Sequence, residues 1–532
     1  MTGQDHIRRL NELKAKRRPL EPFWQEAYKY TYPLRGEKFG NDSISAESQR
    51  AAANDKNARI YDSTAKDAVR LLAASLMSGL TPANSKWFGL EIHNLDEDQA
   101  AKEWLDGAAE TIWRNIHASN YDVAAFESFI DLACSGMFAM YITEGAKDSS
   151  QPYNFQQWPL HSCYCVDSTG KGMIDTIYRV FTLTAEQAIA EYGEKVSEQI
   201  KKAVEKKPDT TFDFVQAIYP RKNPKTLELP IASEHIEVKS KKTIRISGYH
   251  EMPVVVPRWL VIPDSVYSVG PVDDALPDIK TVNEVVKLVL SNADMAIAGM
   301  WGAVDDGVVN TKSVKVGPRK VIAVASKDSF FPLNPGTKFD IAVLEIERLQ
   351  TAIRKLLMAD QLQPQDGPAM TATEVHIRTQ LVRQLLGPMY GRLQVEFLQP
   401  LIARCFGIVF RAEALSKPPE KIEGKTSVIR YASPLAKAQK LEDIGAIERF
   451  ETGLYAKAQA GTPEVLDIYD LDKAERRKAD LLGVPADLLR DEDAVKKLRD
   501  ERKAALAQQQ KEMQEHEMKK AVAPKIAQKG AA

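Results

Sequence analysis

Two long segments with apolar residues at helical spacing, separated by a stretch of different character, constrain this chain more than anything else in it. Residues 273 to about 299 carry Ile279, Val282, Val286 and Val289 as one stripe. Residues 340–359 carry Ile341, Leu344, Leu349, Ile353, Leu356 and Leu357 on one face, a helix of roughly 30 Å. Asp273, Asp274 and Asp278 crowd the start of the first, where carboxylates suit the helix dipole, and Asp340 is the expected cap of the second. Between them, residues 302–335 are rich in Val and Gly with basic residues interspersed, and read as a small β-containing insertion.

The flanking sequence supplies a mixed context. The first forty residues read as a basic helix and then a loop, with Lys14, Lys16, Arg17 and Arg18 ahead of Pro19. Helices are expected over residues 63–78, 98–118 and 124–134, with Gly79 placed to stop the first and Gly136 turning the last into a strand. Residues 153–269 are mostly β. Residues 162–166 and 173–181 form an expected hairpin with a four-residue loop at 167–170, and Thr184-x-x-Gln187 is a capping box. Further strands are expected at 212–219, 244–249 and 254–261. Residues 361–370 form a polar Pro/Gly loop, and Thr371-x-x-Glu374 caps a long helical stretch that Pro388 and Pro400 must kink or break. The remainder is helical, with Pro485 suited to the first turn of a final helix. From Arg499 onward the apolar stripe thins out, which fits a solvated single helix or a disordered tail.

Composition excludes several classes. With 532 residues and 44% hydrophobic content the chain has an ordinary globular make-up of three or four folding units. Lys plus Arg number 72 against 73 Asp plus Glu, so it does not grip nucleic acid over its whole surface, although it could enclose DNA that slides. Four cysteines cannot make a disulfide framework, and a reducing cytoplasm is the expected site of folding. The polar start lacks a signal-peptide core, and the apolar windows at 285–290 and 401–410 are too short to span a bilayer, so no membrane is expected.

Catalytic motifs are missing. There is no G-x-x-x-x-G-K-[ST], G-x-S-x-G, H-E-x-x-H or G-x-G-x-x-G. His161, Cys163 and Cys165 have the spacing of three zinc ligands on one strand face, but without a second close pair they read as core residues, and no metal or cofactor is expected. Asp273/Asp274 and Asp305/Asp306 read as a helix start and a turn before Gly307 rather than a two-metal nuclease site. Lys312, Lys315, Arg319, Lys320 and Lys327 cluster in the insertion, either as a solvated surface or as a contact for DNA phosphate or an acidic partner.

Several blocks resemble the head-to-tail connector (portal) family of short-tailed bacteriophages. They are Ile60-Tyr-Asp-Ser-Thr-Ala65 through Leu72-Ala-Ala, Leu80-Thr-Pro82 and Trp87-Phe88; then Gly248-Tyr, Pro253, Arg258-Trp259, Gly270-Pro271, Leu276-Pro-Asp-Ile-Lys280 and Asn283. The most specific is Met370-Thr-Ala-Thr-Glu-Val375 with Arg378, Leu386-Gly-Pro388, Arg392-Leu393, Glu396, Pro400-Leu-Ile and Arg404, followed by Tyr431-Ala-Ser-Pro-Leu-Ala436. A departure is Tyr267-Ser-Val-Gly-Pro271, where a glycine is expected directly after the tyrosine.

The resemblance implies an α+β portal-type subunit with wing, stem, clip and crown. Residues 1–272 would be the N-terminal arm and wing, 273–300 and 340–360 the stem helices, and 301–339 the clip. Residues 361–372 would be a tunnel loop, 373–412 a long kinked wing helix, and 413–532 the crown and polar tail. It further implies a non-enzymatic ring of about twelve copies at one capsid vertex of the virion, assembled in the host cytoplasm, closing through head-to-tail contacts. Double-stranded DNA would pass through it during packaging and ejection. The implied partners are major capsid and scaffolding proteins, terminase and tail adaptor proteins. Gln361, Gln363, Gln365 and Asp366 would line the tunnel loop, the basic cluster would serve docking, and Thr371 with Glu374 would cap the helix beyond. The alternatives are a tail adaptor or scaffold without a channel, or a packaging nuclease.

Overall fold

The protein is described from a computed structural model, covering residues 2–40, 46–83, 86–90, 99–146, 151–222, 224, 228–298, 300–303, 330–333, 339–362, 387, 389–419, 434–482, 484, 488–490 and 492–529. The chain divides into Met1–Trp87 with Ile112–Ala414, and Phe88–Thr111 with Leu415–Ala532.

The first unit opens with three helices, α1 (Gly3–Arg17), α2 (Glu21–Lys29) and α3 (Pro33–Gly36), where a helix and a loop were expected. Proline in the first turn of α2 and of α3 pre-sets the backbone for a helix start. Two further helices, α4 (Ala46–Asn57) and α5 (Thr64–Leu80), lead to α6 (Gln99–Ala118) and α7 (Tyr121–Ser135). The stripe of Val69, Leu72, Ala73, Leu76 and Leu80 on α5 is buried as its spacing requires. Gly79 lies inside α5 and does not end it. Thr81, turned out of the helical conformation (φ −135°, ψ 60°) ahead of Pro82, ends it instead. Gly136 closes α7 in the left-handed conformation (φ 76°), where a Cβ would sit 2.2 Å from the Val269 carbonyl.

The β region follows as β1 (Ala139–Glu144), β2 (Tyr153–Trp158), β3 (Cys163–Val166) and β4 (Thr176–Thr184), then helices α8 (Ala185–Tyr192) and α9 (Glu198–Lys206). The remaining strands are β5 (Thr211–Pro220), β6 (Ile231–Glu237), β7 (Lys242–Tyr249), β8 (Val254–Val255), β9 (Leu260–Val261) and β10 (Ser268–Val269). Strands β3 to β7 form an antiparallel sheet in sequence order, and β1 lies between β2 and β8 in a second sheet. The β3–β4 loop spans residues 167–175 rather than four residues, organised by the Asp167 carboxylate, which accepts from the amides of Thr169, Gly170 and Gly172. The expected strand over 254–261 is two short strands with Pro257 between them. The Thr184 capping box is present, with Gln187 N–H donating to Thr184 Oγ1 at 3.2 Å and Thr184 N–H to Gln187 Oε1 at 3.0 Å.

Each face of the five-stranded sheet is covered. Ile7, Leu10 and Leu13 of α1 pack on Tyr164, Tyr178, Val215, Ala217 and Ile236. Ala185, Ala188 and Tyr192 of α8, with Val196 and Ile200, pack around Phe214 on another part of the sheet.

The helix pair is α10 (Pro271–Ala298) and α11 (Phe339–Leu356), followed by the short α12 (Ala359–Leu362). Between α10 and α11, β11 (Met300–Ala303) pairs antiparallel with β12 (Phe330–Leu333), so the insertion leaves and returns at one place. Asp340 lies within α11, which begins one residue earlier, and is not its N-cap. The second helix stops short of residue 359 because Met358 adopts φ 58° between α11 and α12.

From Met389 to Arg411 the chain runs 23 residues as one helix, long and apolar enough by composition to cross a bilayer, which corrects the expectation that no window was. It serves as a core helix, with Leu393, Phe397, Leu398, Leu401, Ile402 and Cys405 at 0–1% exposure. Its π-helical turn at Gln394–Leu398 leads into α13 (Gln399–Arg411). Pro400 explains that turn: it has no N–H to give and its ring meets the carbonyl four residues back, so Gln399 N–H reaches five back to Gln394. Pro388 lies outside the described residues.

The second unit contains α14 (Pro434–Gln459), α15 (Leu471–Leu482) and α16 (Glu492–Lys529). Lys478 joins α15 to α14 through Glu451 at 2.8 Å, and Arg499 joins α16 to α15 through Asp472 at 2.7 Å. Pro485 lies outside the described residues and the final helix starts later, at Glu492. Leu506 and Met513 on α16 are each 59% exposed, which is the solvated single helix of the two readings of the tail.

Candidate channel helices and their anchor

Helices α10 and α11 pack along each other, and one segment ahead of α5 roots both. Asn283 of α10 is 8% exposed. Its Oδ1 accepts from the amides of Tyr61 (2.7 Å) and Asp62 (3.4 Å), and its Nδ2 donates to the Arg59 carbonyl at 3.2 Å. Asp62 then serves two helices: Oδ1 accepts from the Thr64 amide at the start of α5, and Oδ2 accepts from Gln350 Nε2 of α11 at 2.7 Å. An amide side chain suits the first position because it both donates and accepts, and a carboxylate suits the second because it must accept twice.

A buried ion pair and a partly exposed ion triad brace the same unit. Arg258 is bidentate to Glu396 in the π-helical turn, at 2.6 and 3.0 Å, and also donates to the carbonyls of Gly172 and Val266. Glu251 receives Arg404 at 3.1 Å and Arg411 at 2.6 Å, both from α13. Burial raises the Glu251 carboxyl, but the hydrogen bonds and charges of Arg411 and Arg404 outweigh it and leave the group below the usual carboxylate range. At the N-terminal end, Arg17 donates to the carbonyls of Leu160, His161 and Cys163 at 3.1, 2.7 and 2.6 Å and stacks on Tyr164 at 3.8 Å. The first helix is thereby part of the sheet's packing, and not a free basic arm.

The outer faces of the two helices differ from their inner ones. Ile279 and Val282 are buried, whereas Leu288 and Leu290 are 54% and 52% exposed. Leu349 and Ile353 of α11 and Leu357 just beyond it are buried, but Leu344 (71%) and Leu356 (42%), expected on the same apolar face, are exposed. The single stripe read from the sequence is therefore buried only in part, with Leu344 and Leu356 outside the buried row. Helix α10 carries five carboxylates and two ammonium groups, a formal net charge of −3. Asp273 in its first turn is pushed up to about 6 by burial and by the charges of Asp274 and Glu26.

The sequence-derived site residues fall as follows. Gln361 lies on α12. Gln363, Gln365 and Asp366, the cluster Lys312, Lys315, Arg319, Lys320 and Lys327, the cap Thr371 with Glu374, and Asp305 with Asp306 all lie outside the described residues. His161 sits in a 3-10 turn before β3 and not on the strand with Cys163 and Cys165, whose thiols are buried and raised by burial. Among the described residues no group of three His, Cys, Asp or Glu could hold a metal. Asp273 and Asp274 occupy the first turn of α10, as their reading as helix-start charges required. Sequence reasoning missed Glu251 and Gln350. The signal for Glu251 was Arg404 and Arg411, seven apart and so on one helix face around a shared anion.

Comparison with known proteins finds relatives over nearly the whole chain. The profile described as "Bacteriophage head to tail connecting protein" matches residues 4–489. The chain is 27% identical to the "Portal protein" of Salmonella phage epsilon15 over 93% of its length and 90% of the relative's. It is 26% identical to the "Probable portal protein" of Bordetella phage BPP-1, over 91% of its length and 88% of the relative's. It is 22% identical to the "Portal protein" of Escherichia phage T7, over 73% and 71%. The chain belongs to the family of bacteriophage head to tail connecting proteins, and it is a viral portal, a structural protein and not an enzyme.

Proposed function

We propose that the chain works as one subunit of a homo-oligomeric ring at the capsid vertex, through which double-stranded DNA is packaged and later ejected. The family match over residues 4–489 carries this reading. The exposed apolar residues Leu288, Leu290, Val343, Leu344 and Leu356 support it, because a neighbouring copy would cover some of this apolar surface, which a monomer shows to water. The residue boundaries of wing (1–272), stem (273–300 and 340–360), clip (301–339), tunnel loop (361–372), kinked wing helix (373–412) and crown (413–532) belong to this proposal, as does a count of about twelve copies. The pairing of β11 with β12 at the base of the insertion suits a clip that is presented at the far end of the stem.

In this reading α10, at −3 per subunit, leaves a duplex free to slide, because bound phosphate needs cations to displace its counterions. Residues 361–372 contain no Lys or Arg, and Gln361, Gln363, Gln365 and Asp366 would face the DNA there. The basic cluster from Lys312 to Lys327 would meet terminase during packaging and tail adaptor proteins afterwards, and the wing would meet capsid and scaffolding proteins. Thr371 with Glu374 would cap the helix that follows the loop.

The test is class averaging of the purified protein by negative-stain electron microscopy alongside light scattering. Hollow rings with rotational symmetry are expected. A mass of only 59 kDa at all micromolar concentrations, with no rings in capsid-assembly extracts, would overturn the reading. Gln363→Lys in every subunit should slow ejection at low salt, and unchanged ejection would remove 361–372 from the channel wall.

A further inference from the structure

A guanidinium without a counter-ion sits on the five-stranded sheet. Strand register places Cys163, Arg179, Gln216, His235 and Arg245 side by side across β3 to β7, so the five share one row on one face. At the edge of the row, Arg245 pairs with Glu191 at 2.7 Å. Arg179, one strand in from the other edge, has neither a carboxylate nor a hydrogen-bond acceptor among the described residues, and its Nε is buried. Its guanidinium lies 4.4 Å from the Trp158 ring centre and 5.2 Å from that of Phe181. Trp158 is 1% exposed and stacks on Tyr141 at 4.5 Å on another side, and its own Nε1 also lacks an acceptor. Two shielded N–H donors thus stand near each other with nothing to receive them, which native interiors rarely leave so.

Among the described residues the surroundings offer no negative charge. Burial raises the Cys163 thiol and the Tyr141 hydroxyl, and it raises Tyr192 up to about 12, so all three are neutral at pH 7. His235 is lowered to about 4 by burial and by the charges of Arg245 and Arg179, so it is neutral as well and makes a 2.8 Å hydrogen bond with the Tyr192 hydroxyl. Glu191 is committed to Arg245. The row therefore holds one uncompensated positive charge, partly buried, beside an indole.

We propose that Arg179, framed by Trp158 and Phe181, is a receptor for a single carboxylate. The stacked guanidinium offers its edge, and edge-on pairing of a planar fork suits the two coplanar oxygens of a carboxylate. The same group can come from a free small carboxylate or from an Asp or Glu side chain of an adjoining copy of this chain. The second source rests on the ring reading above, and the first does not.

The experiment compares wild type with Arg179→Gln, using sodium acetate as the probe against sodium chloride at equal ionic strength. If free carboxylate is received, acetate raises the thermal midpoint and gives a calorimetric binding isotherm in wild type, and both effects vanish in Arg179→Gln. If an adjoining copy supplies the group, acetate has no effect, while Arg179→Gln lowers ring yield at least tenfold with an unchanged midpoint for the isolated chain. Should Arg179→Gln not fold, Arg179→Lys keeps the charge without the fork, and the same losses are expected of it in part. The proposal is overturned if acetate acts no differently from chloride and the variant assembles as wild type, or if density beside Arg179 in an assembled ring is ordered water alone. Failure of wild type itself to form rings would strike the ring reading and leave the acetate comparison standing.

Discussion

Replacing Gly407 by alanine tests whether the Glu251 clamp holds α13. A Cβ at 407 would stand 2.3 Å from Glu251 Oε1 and 2.6 Å from its Cδ, so the carboxylate has to move. It is the far end of a flexible side chain, so the backbone need not shift, and the cost is that of the bonds it gives up. Arg411 is exposed enough to follow it. Arg404, 4% exposed, is not, and keeps only a 3.4 Å bond to the Ile142 carbonyl and the Tyr249 ring at 5.2 Å. Losing one buried hydrogen bond to a charged partner costs about 1.5–3 kcal/mol. The helix itself gains up to about 1 kcal/mol when alanine replaces glycine. Gly407→Ala should therefore destabilise the first unit by about 1–2 kcal/mol net.

The assay is hydrogen exchange on α13 together with the urea midpoint of the first unit, in wild type, Gly407→Ala, Glu251→Ala and the double variant. With Glu251 truncated, nothing opposes the new methyl, so the second substitution should become neutral or stabilising. A coupling above about 1 kcal/mol is expected for groups in contact. Equal costs for Gly407→Ala in both backgrounds would refute the reasoning, since the strain would then lie elsewhere than at the carboxylate.

Three further outcomes follow from the same geometry. Asn283→Ala removes three hydrogen bonds to residues 59–62 and should cost about 2–3 kcal/mol, seen as lost amide protection at Tyr61 and Asp62; unchanged protection would mean that another group roots α10. Asp273 holds its proton more tightly in the folded chain, with a pKa of about 6 against about 3.9 unfolded, so its charged form opposes folding above pH 6 and that penalty fades as pH falls toward 4. Asp273→Asn should accordingly raise the thermal midpoint at pH 7.5 and change it little at pH 4.5, and a gain equal at both would assign the effect to packing. Thr184→Ala breaks the capping box of α8 and should cost about 1 kcal/mol, with loss of circular dichroism limited to that helix.

Periodicity located most helices because their burial is one-sided. The α5 stripe and the buried rows of α10 and α11 were legible at single-residue level. Strand β6 was not, since Ile231–Glu237 alternates poorly and buries Ser233, Glu234 and Glu237 through side-chain partners that no local pattern shows. The end of α5 was misplaced because a glycine is only permissive, whereas the proline two residues beyond the helix end acts on the backbone before it. Leu344 and Leu356 were assigned to the inner face because spacing alone cannot tell a core row from one that a neighbour would cover. The anchor was visible only as a resemblance: Tyr61, Asp62 and Asn283 are 221 or more residues apart in sequence across the joint, and no periodicity links them.

Five of the residues that carry the family likeness are clamps in this structure. Asn283 and Asp62 root the helix pair, Arg258 and Glu396 fix the π-helical turn, and Arg404 seats Glu251. That arrangement has a mechanical consequence for the proposed ring. From the root at Asn283 the helix α10 continues to Ala298, about 22 Å, so a tilt of about 10° about the root displaces the far end by roughly 4 Å. Two apolar side chains lose contact over a similar distance, about 4 Å. A closed ring repeats any such error in every subunit and must return to its start. Stiffness at the root, rather than affinity at the exposed leucines, then decides whether Leu288 and Leu344 meet their neighbours in one register. Asn283 would thus determine ring uniformity without touching a neighbouring copy. In Asn283→Ala preparations, ring diameters should spread while the outer faces keep their chemistry.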